Sequence, residues 1–179
     1  MSHPKGAVET QRLFFALWPD HALQERLAHA AAALLPLAAG RRVRAGNLHC
    51  TLVFLGAVAA AQRLCLEDAA SLVQAEPFTL TLDRFGYFRR PQAAWMGCTS
   101  TPAALQALVT GLSSAAVRCG FAPEQRPYQV HLTVARKLRK DPGRLPLLPI
   151  AWPVKQFVLM ESVSEADGVR YRPLRFWDL

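Results

Sequence analysis

The chain has 179 residues, enough for one domain or two small lobes sharing an interface; 51% of them are hydrophobic and 19% charged, the balance of a packed globular protein. Twenty-one Lys and Arg, most of them Arg, outweigh thirteen Asp and Glu to leave a formal charge of +8, which favours a polyanionic partner. The longest apolar stretch, 30–39, is shorter than the roughly 20 residues that span a bilayer, and no charged-then-apolar leader opens the chain, so no membrane association and a cytoplasmic location are expected. An Ala-rich, Arg-rich composition can also follow from coding bias, so charge alone fixes no function.

Residues 1–11 are polar, lack an apolar period and are expected to form a disordered tail. The run Arg-Leu-Phe-Phe-Ala-Leu-Trp at 12–18, stopped by Pro19, reads as a buried strand. Asp20 is a good N-cap for a helix over 21–37, with Leu23, Leu27, Ala30, Ala31 and Leu34 at helical spacing and Gly40 at its end. A basic loop at 41–46 leads into a strand at 48–55, closed by Gly56. A helix over 59–74 follows, with Leu64, Leu72 and Val73 expected inward and Arg63, Glu67 and Asp68 outward, before Pro77. Strict alternation from Phe78 to Leu82 predicts a strand continuing to 88, a turn at 89–92 and a returning strand at 93–98. Thr101-Pro102 opens a third helix with Leu105, Leu108, Val109 and Leu112 as its stripe and Gly120 as its stop. Another strand, 128–136, precedes a basic, proline-rich connection at 137–149, and 153–162 with 168–177 form a closing hairpin around Ala166-Asp167-Gly168. Cys50, Cys65, Cys98 and Cys119 are scattered through apolar runs without a C-x-x-C pair, and are expected as buried reduced thiols.

Two of these strands carry the same signature, His49-Cys50-Thr51-Leu52 and His131-Leu132-Thr133-Val134. The order strand, proline, helix, histidine strand occurs twice, offset by 83 residues at Pro19 and Pro102 and by 82 at the histidines. Proline-associated strands at Pro77 and Pro153 continue the match at an offset of 76, the second copy lacking the intervening helix. Two copies at this period indicate internal duplication about a pseudo-twofold axis, which would bring both histidines together.

Within a strand, residues two apart share a face, so each histidine is presented beside its threonine. Two imidazoles near their ordinary pKa of about 6.5 can divide the roles of acid and base. Threonine hydroxyls can hold the non-bridging oxygens of a phosphate, and Arg136, five residues past His131, can clamp one bidentately if the strand ends or bends before it. A hydrolytic zinc site has little support: there is no H-E-x-x-H and no carboxylate within six residues of either histidine. Glycine-rich phosphate loops and G-x-S-x-G elbows are absent as well.

With these motifs, and with Arg12-Leu-Phe-Phe-Ala-Leu, Asn47-Leu-His-Cys-Thr-Leu-Val-Phe-Leu-Gly, Phe88-Arg-Arg-Pro and His131-Leu-Thr-Val-Ala-Arg, the chain resembles the two-histidine phosphoesterases. It is most similar to their RNA 2′,3′-cyclic phosphodiesterase (2′-5′ RNA ligase) branch. The resemblance implies an α+β, duplicated bilobal fold, 12–179 forming a single domain, with two antiparallel-rich sheets facing across a central cleft and helices outside. It implies hydrolysis of RNA 2′,3′-cyclic phosphate ends, or of cyclic nucleotides, to 2′-phosphomonoesters with neither metal nor cofactor, by a monomer without an obligate protein partner. His49 would be the proton donor and His131 the acceptor, with Thr51, Thr133 and Arg136 on the phosphate; Phe14 or Phe15 could stack on a base. Reversible 2′-5′ joining of RNA is the same chemistry with a ribose hydroxyl replacing water. The alternatives are a related cyclic-nucleotide or 2′-5′ oligonucleotide phosphodiesterase, and a nucleotide-binding module without turnover. Val130 stands where proline is common in this branch, and Cys50 where leucine or valine is more usual.

Overall fold

The structure, a computed structural model, describes residues 9–34, 40–143, 145–166 and 168–179. Strand β1 (Thr10–Leu17) starts two residues earlier than expected, so the end of the expected tail is strand; residues 1–8 of that tail lie outside the described residues. Asp20 caps helix α1 (His21–Leu34), its carboxylate accepting the Leu23 amide at 2.8 Å, while the expected last turn at 35–37 lies outside the described residues. A two-residue strand β2 (Arg41–Arg42) and a 3-10 turn (Ala45–Asn47) lead to β3 (Cys50–Ala59) and helix α2 (Ala60–Ala70). Next come β4 (Phe78–Leu82), β5 (Arg84–Phe88), β6 (Ala93–Gly97) and helix α3 (Ala103–Arg118). The chain ends with β7 (Leu132–Arg136), β8 (Ile150–Val154), β9 (Gln156–Glu165) and β10 (Gly168–Asp178).

The class is α+β, and every strand pairing is antiparallel. Strands run in the order β10-β9-β1-β3-β7-β6-β5. About the β3–β7 junction this order is symmetric, β9-β1-β3 mirrored by β5-β6-β7, as the duplication requires. The first half supplies β5 to the second half's sheet, and the second half supplies β9 to the first half's. The two sheets meet edge to edge at one residue pair, Cys50 opposite Leu132. Beyond it β3 diverges and β2 takes over the free edge of β7, Arg42 opposite Ala135 and Arg41 opposite Arg136. The related strands β4 and β8 pair with each other as a separate ribbon.

The helices cover one face. Leu13, Phe15 and Leu17 of β1 join Leu23 and Leu27 of α1, Leu66 of α2 and Leu105, Leu108 and Leu112 of α3 in the main core. The alternate residues Phe14 and Ala16 pack with Val158 and Met160 on the opposite face, with no helix over them. That helix-free face is open for a site.

Four local expectations are corrected. Gly56 does not end its strand: it adopts φ +76° inside β3, beside a bulge at Leu55 that lets the strand continue to Ala59. Helix α2 is rotated from its expected phase, burying Leu66, Ala69 and Ala70 while Leu64 and Leu72 stand exposed, because α3 and β3, not hydrophobicity alone, set the covered face. The strand expected over 78–88 breaks at Asp83, whose amide bonds the Gly97 carbonyl, and its two parts enter different sheets. Finally, two of the cysteines are not free thiols. Cys65 of α2 and Cys119 at the end of α3 are bonded to each other, 54 residues apart in sequence, because the two helices pack side by side. Cys50 and Cys98 remain thiols.

No helix among the described residues is long and apolar enough to cross a membrane. Gly86 lies opposite Trp95, and a Cβ there would overlap the indole ring, which packs 5.2 Å from Phe88. Gly86→Ala is therefore expected to cost about 1–3 kcal/mol as the ring is displaced, measured by denaturant unfolding at equilibrium.

Candidate active site

Both histidines sit one residue before a strand, His49 before β3 and His131 before β7. Each ring is held in the same way. His49 Nδ1 lies 2.8 Å from the Asn47 carbonyl and His131 Nδ1 lies 2.9 Å from the Gln129 carbonyl, in both cases two residues back. A carbonyl only accepts, so Nδ1 carries the proton and Nε2 is the nitrogen left for chemistry in both rings. Asn47 is itself anchored, its side-chain amide donating to the Val169 carbonyl of β10 at 2.8 Å.

Their surroundings differ. His49 is enclosed by aromatic rings, with centroids at 5.0 Å to Phe14, 4.6 Å to Tyr171 and 6.1 Å to Trp18. Burial pushes its imidazole from 6.5 down to about 4, against the opposing pull of the Asn47 carbonyl; the nearby charges of Arg136 and His131 push it further down. His131 has one aromatic neighbour, Phe88, edge-on at 5.4 Å.

Two clefts share Thr133 and Arg136, the larger of them also lined by Val109, Ser113 and Ala116 of α3. One, of about 620 Å³, is lined by Thr51, His131, Thr133 and Arg136 together with Phe54, Phe88 and Phe121. The other, of about 430 Å³, is lined by His49, Thr133 and Arg136, with Arg41, Arg42, Arg44 and Lys137 around them and, among the described residues, no carboxylate in its wall. The five residues expected from the sequence thus line two clefts that have Thr133 and Arg136 in common.

Strict alternation would turn Arg136 away from His131, and a bulge reverses this. Across from β6, Trp95 pairs with Thr133 and Ala94 with Ala135, so Val134 is an extra residue in β7. Val134 and Ala135 are consequently both buried, and Arg136 returns to the side of Thr133. The same device occurs in β3, where Leu52 is extra opposite β1. There the residue five past the histidine is Phe54, 57% exposed, which lines the larger cleft with Arg12 4.9 Å from its ring centroid.

The aromatic residues expected to meet a base are not available to one. Phe15 is wholly buried against Phe157 and Trp177, on the helix side of the sheet. Phe14 is 3% exposed and supports the His49 ring. Phe54, Phe88, Phe121 and Tyr128 reach the larger cleft, and for Phe54 the repeat register with Arg136 was the available signal. Among the described residues no three His, Cys, Asp or Glu side chains group as metal ligands.

A family model described as the 2′-5′ RNA ligase superfamily matches residues 18–165. The RNA 2′,3′-cyclic phosphodiesterase of Escherichia coli (strain K12) is 36% identical over 96% of this chain and 98% of its own length. The protein of that name from Archaeoglobus fulgidus is 27% identical over 93% and 99%. A crystal structure of E. coli LigT complexed with 3′-AMP superposes with a TM-score of 0.86 at 35% identity, covering 96% of this chain and 99% of that one. A complex of E. coli LigT with phosphate gives 0.82 at 34% identity, covering 96% and 98%.

Because the folded chain holds His49 below its ordinary pKa, the unfolded chain takes up that proton first. Stability from this group is complete above pH 6.5 and is lost as the pH falls towards about 4. The ring keeps an edge on the cleft, so the loss is expected at no more than about 3 kcal/mol. Denaturant unfolding between pH 7 and 4 should show this slope, and His49→Gln should flatten it.

Proposed function

The chain belongs to the 2′-5′ RNA ligase superfamily, and from that membership and its paired histidines we infer that it is an RNA 2′,3′-cyclic phosphodiesterase. The observation that carries the mechanism is the repeated imidazole geometry: two rings beside shared Thr133 and Arg136, each with Nδ1 fixed on a carbonyl and Nε2 free. That is an acid–base pair around a phosphate-sized anion site.

In the proposed reaction the cyclic phosphate sits against Thr51, Thr133 and Arg136, whose hydrogen bonds hold its non-bridging oxygens as charge builds on them. His131 Nε2 takes a proton from water as the water oxygen bonds to phosphorus. The phosphorus–O3′ bond breaks, and His49 Nε2–H gives its proton to the departing O3′. The product is a 2′-phosphomonoester, and proton exchange with solvent resets both rings. His49 is neutral in the free protein, so the substrate's negative charge is what brings it its proton: the anion offsets the effects of burial and of Arg136.

An RNA end, more than a mononucleotide, suits the cleft on the His49 side. The departing O3′ stays attached to the ribose, so the body of the RNA lies on that side, where Arg41, Arg42, Arg44 and Lys137 line the wall. The cleft on the His131 side is far larger than one water needs. That space favours a second reading of the same site, in which a ribose hydroxyl attacks in place of water and forms a 2′-5′ linkage.

Four measurements test this. Turnover of a cyclic-phosphate-ended RNA should persist in EDTA and release the 2′-phosphate; sensitivity to chelator or a 3′-phosphate product overturns the mechanism. His49→Ala and His131→Ala should each lower kcat at least ~100-fold, and the His49 ring resonances should titrate at higher pH when inorganic phosphate is bound; if they stay near 4, the donor role passes to His131. Replacing Arg42 and Lys137 together by Gln should cost RNA at least ~10-fold more in kcat/KM than it costs 2′,3′-cyclic AMP, and should flatten the salt dependence.

A further inference from the structure

Tyr128 carries a half-buried phenol, on the wall of the larger cleft, that the reaction does not use. It lies three residues before His131, yet its hydroxyl donates across the junction to the Thr51 carbonyl at 3.2 Å. The same oxygen lies 3.4 Å from Sγ of Cys50. With the phenol proton committed to Thr51, the thiol is the donor in that contact.

These contacts form one directed chain: Cys50 S–H to Tyr128 Oη, and Tyr128 O–H to the Thr51 carbonyl. It ties a residue three positions before the histidine of one motif to two successive residues of the other. Burial pushes the thiol up to about 11 and pushes the phenol well above its usual range, so both keep the protons the chain needs. Backbone pairing alone gives β3 and β7 one residue pair, Cys50 with Leu132. Two strands joined so briefly can splay or twist about that point. An added tie within a few ångströms of both motifs removes this freedom.

We propose that Cys50 and Tyr128 form a polar clasp that sets the spacing and tilt of the two histidine strands, making both positioning residues for the reaction. The proposal rests on the phosphodiesterase reading above. It gives a role to the thiol of Cys50, wholly buried at the junction: an apolar side chain there would fill the space and leave the Tyr128 hydroxyl without this partner. Cooperative polarisation along such a chain makes it worth more than separate bonds, and small misplacements of reacting groups are costly in rate.

The test begins with wild-type turnover of 2′,3′-cyclic AMP; none at all overturns the phosphodiesterase reading and leaves nothing for the clasp to position. Given turnover, Tyr128→Phe and Cys50→Ala should each lower kcat ~10-fold with KM changed less than ~2-fold. The double variant should be no slower than the slower single one, since either change breaks the same chain. Cys50→Ser, which restores a donor and acceptor, should recover most of the loss. Unchanged kcat, a change in KM alone, or fully multiplicative losses would each overturn the clasp. Tyr128→Phe keeps the ring in place and carries the test alone if Cys50→Ala does not fold.

Discussion

Cys50 opposite Leu132 is the pairing on which the site's geometry depends. Side chains along a strand alternate between faces, and both members of this pair turn into the core beneath the helices. Their neighbours on either side have no choice but the other face. His49 and Thr51 therefore stand beside His131 and Thr133, on the side away from that core. One register between two strands thus converts two short motifs, 82 residues apart, into a single constellation.

This is also why so much was legible beforehand. The alternation that hides Cys50 and Leu132 can be read in the sequence, and the repeated His-x-Thr pattern says that two such strands belong together. Arg136 shows where that reasoning stops. Its parity is wrong for the site, and only the extra residue Val134 corrects it; a bulge is set by the partner strand β6 and leaves no local mark. Phe14 and Phe15 fail for a related reason. Their strand is buried on both faces, so alternation decides which layer each ring enters but not that either meets solvent. The phase of α2 and the Cys65–Cys119 bond depend on how α2 lies against α3, a contact between segments with no shared pattern.

The duplicated halves have diverged most where the chemistry is asymmetric. Both histidines keep the same carbonyl anchor, two residues back, so the orientation of the working nitrogen is common to both. Three aromatic rings around one and one beside the other then separate their environments. The bulges repeat as well, each one residue after the threonine. They deliver Phe54 in one half and Arg136 in the other, so equivalent backbone places an aromatic face and a cation on the wall of the same cleft.

The reciprocal exchange of β5 and β9 has a consequence for how a substrate can enter. Each half's sheet contains a strand that belongs, in sequence, to the other, so the halves are interlocked and not merely apposed. A hinge that swung them apart would have to strip β9 from β1 and β5 from β6, breaking whole ladders of backbone bonds. Opening on that scale amounts to unfolding. What freedom remains lies at the single β3–β7 pair, so any change in the width of the gap that a substrate enters is a splay about Cys50 and Leu132, not a parting of the halves.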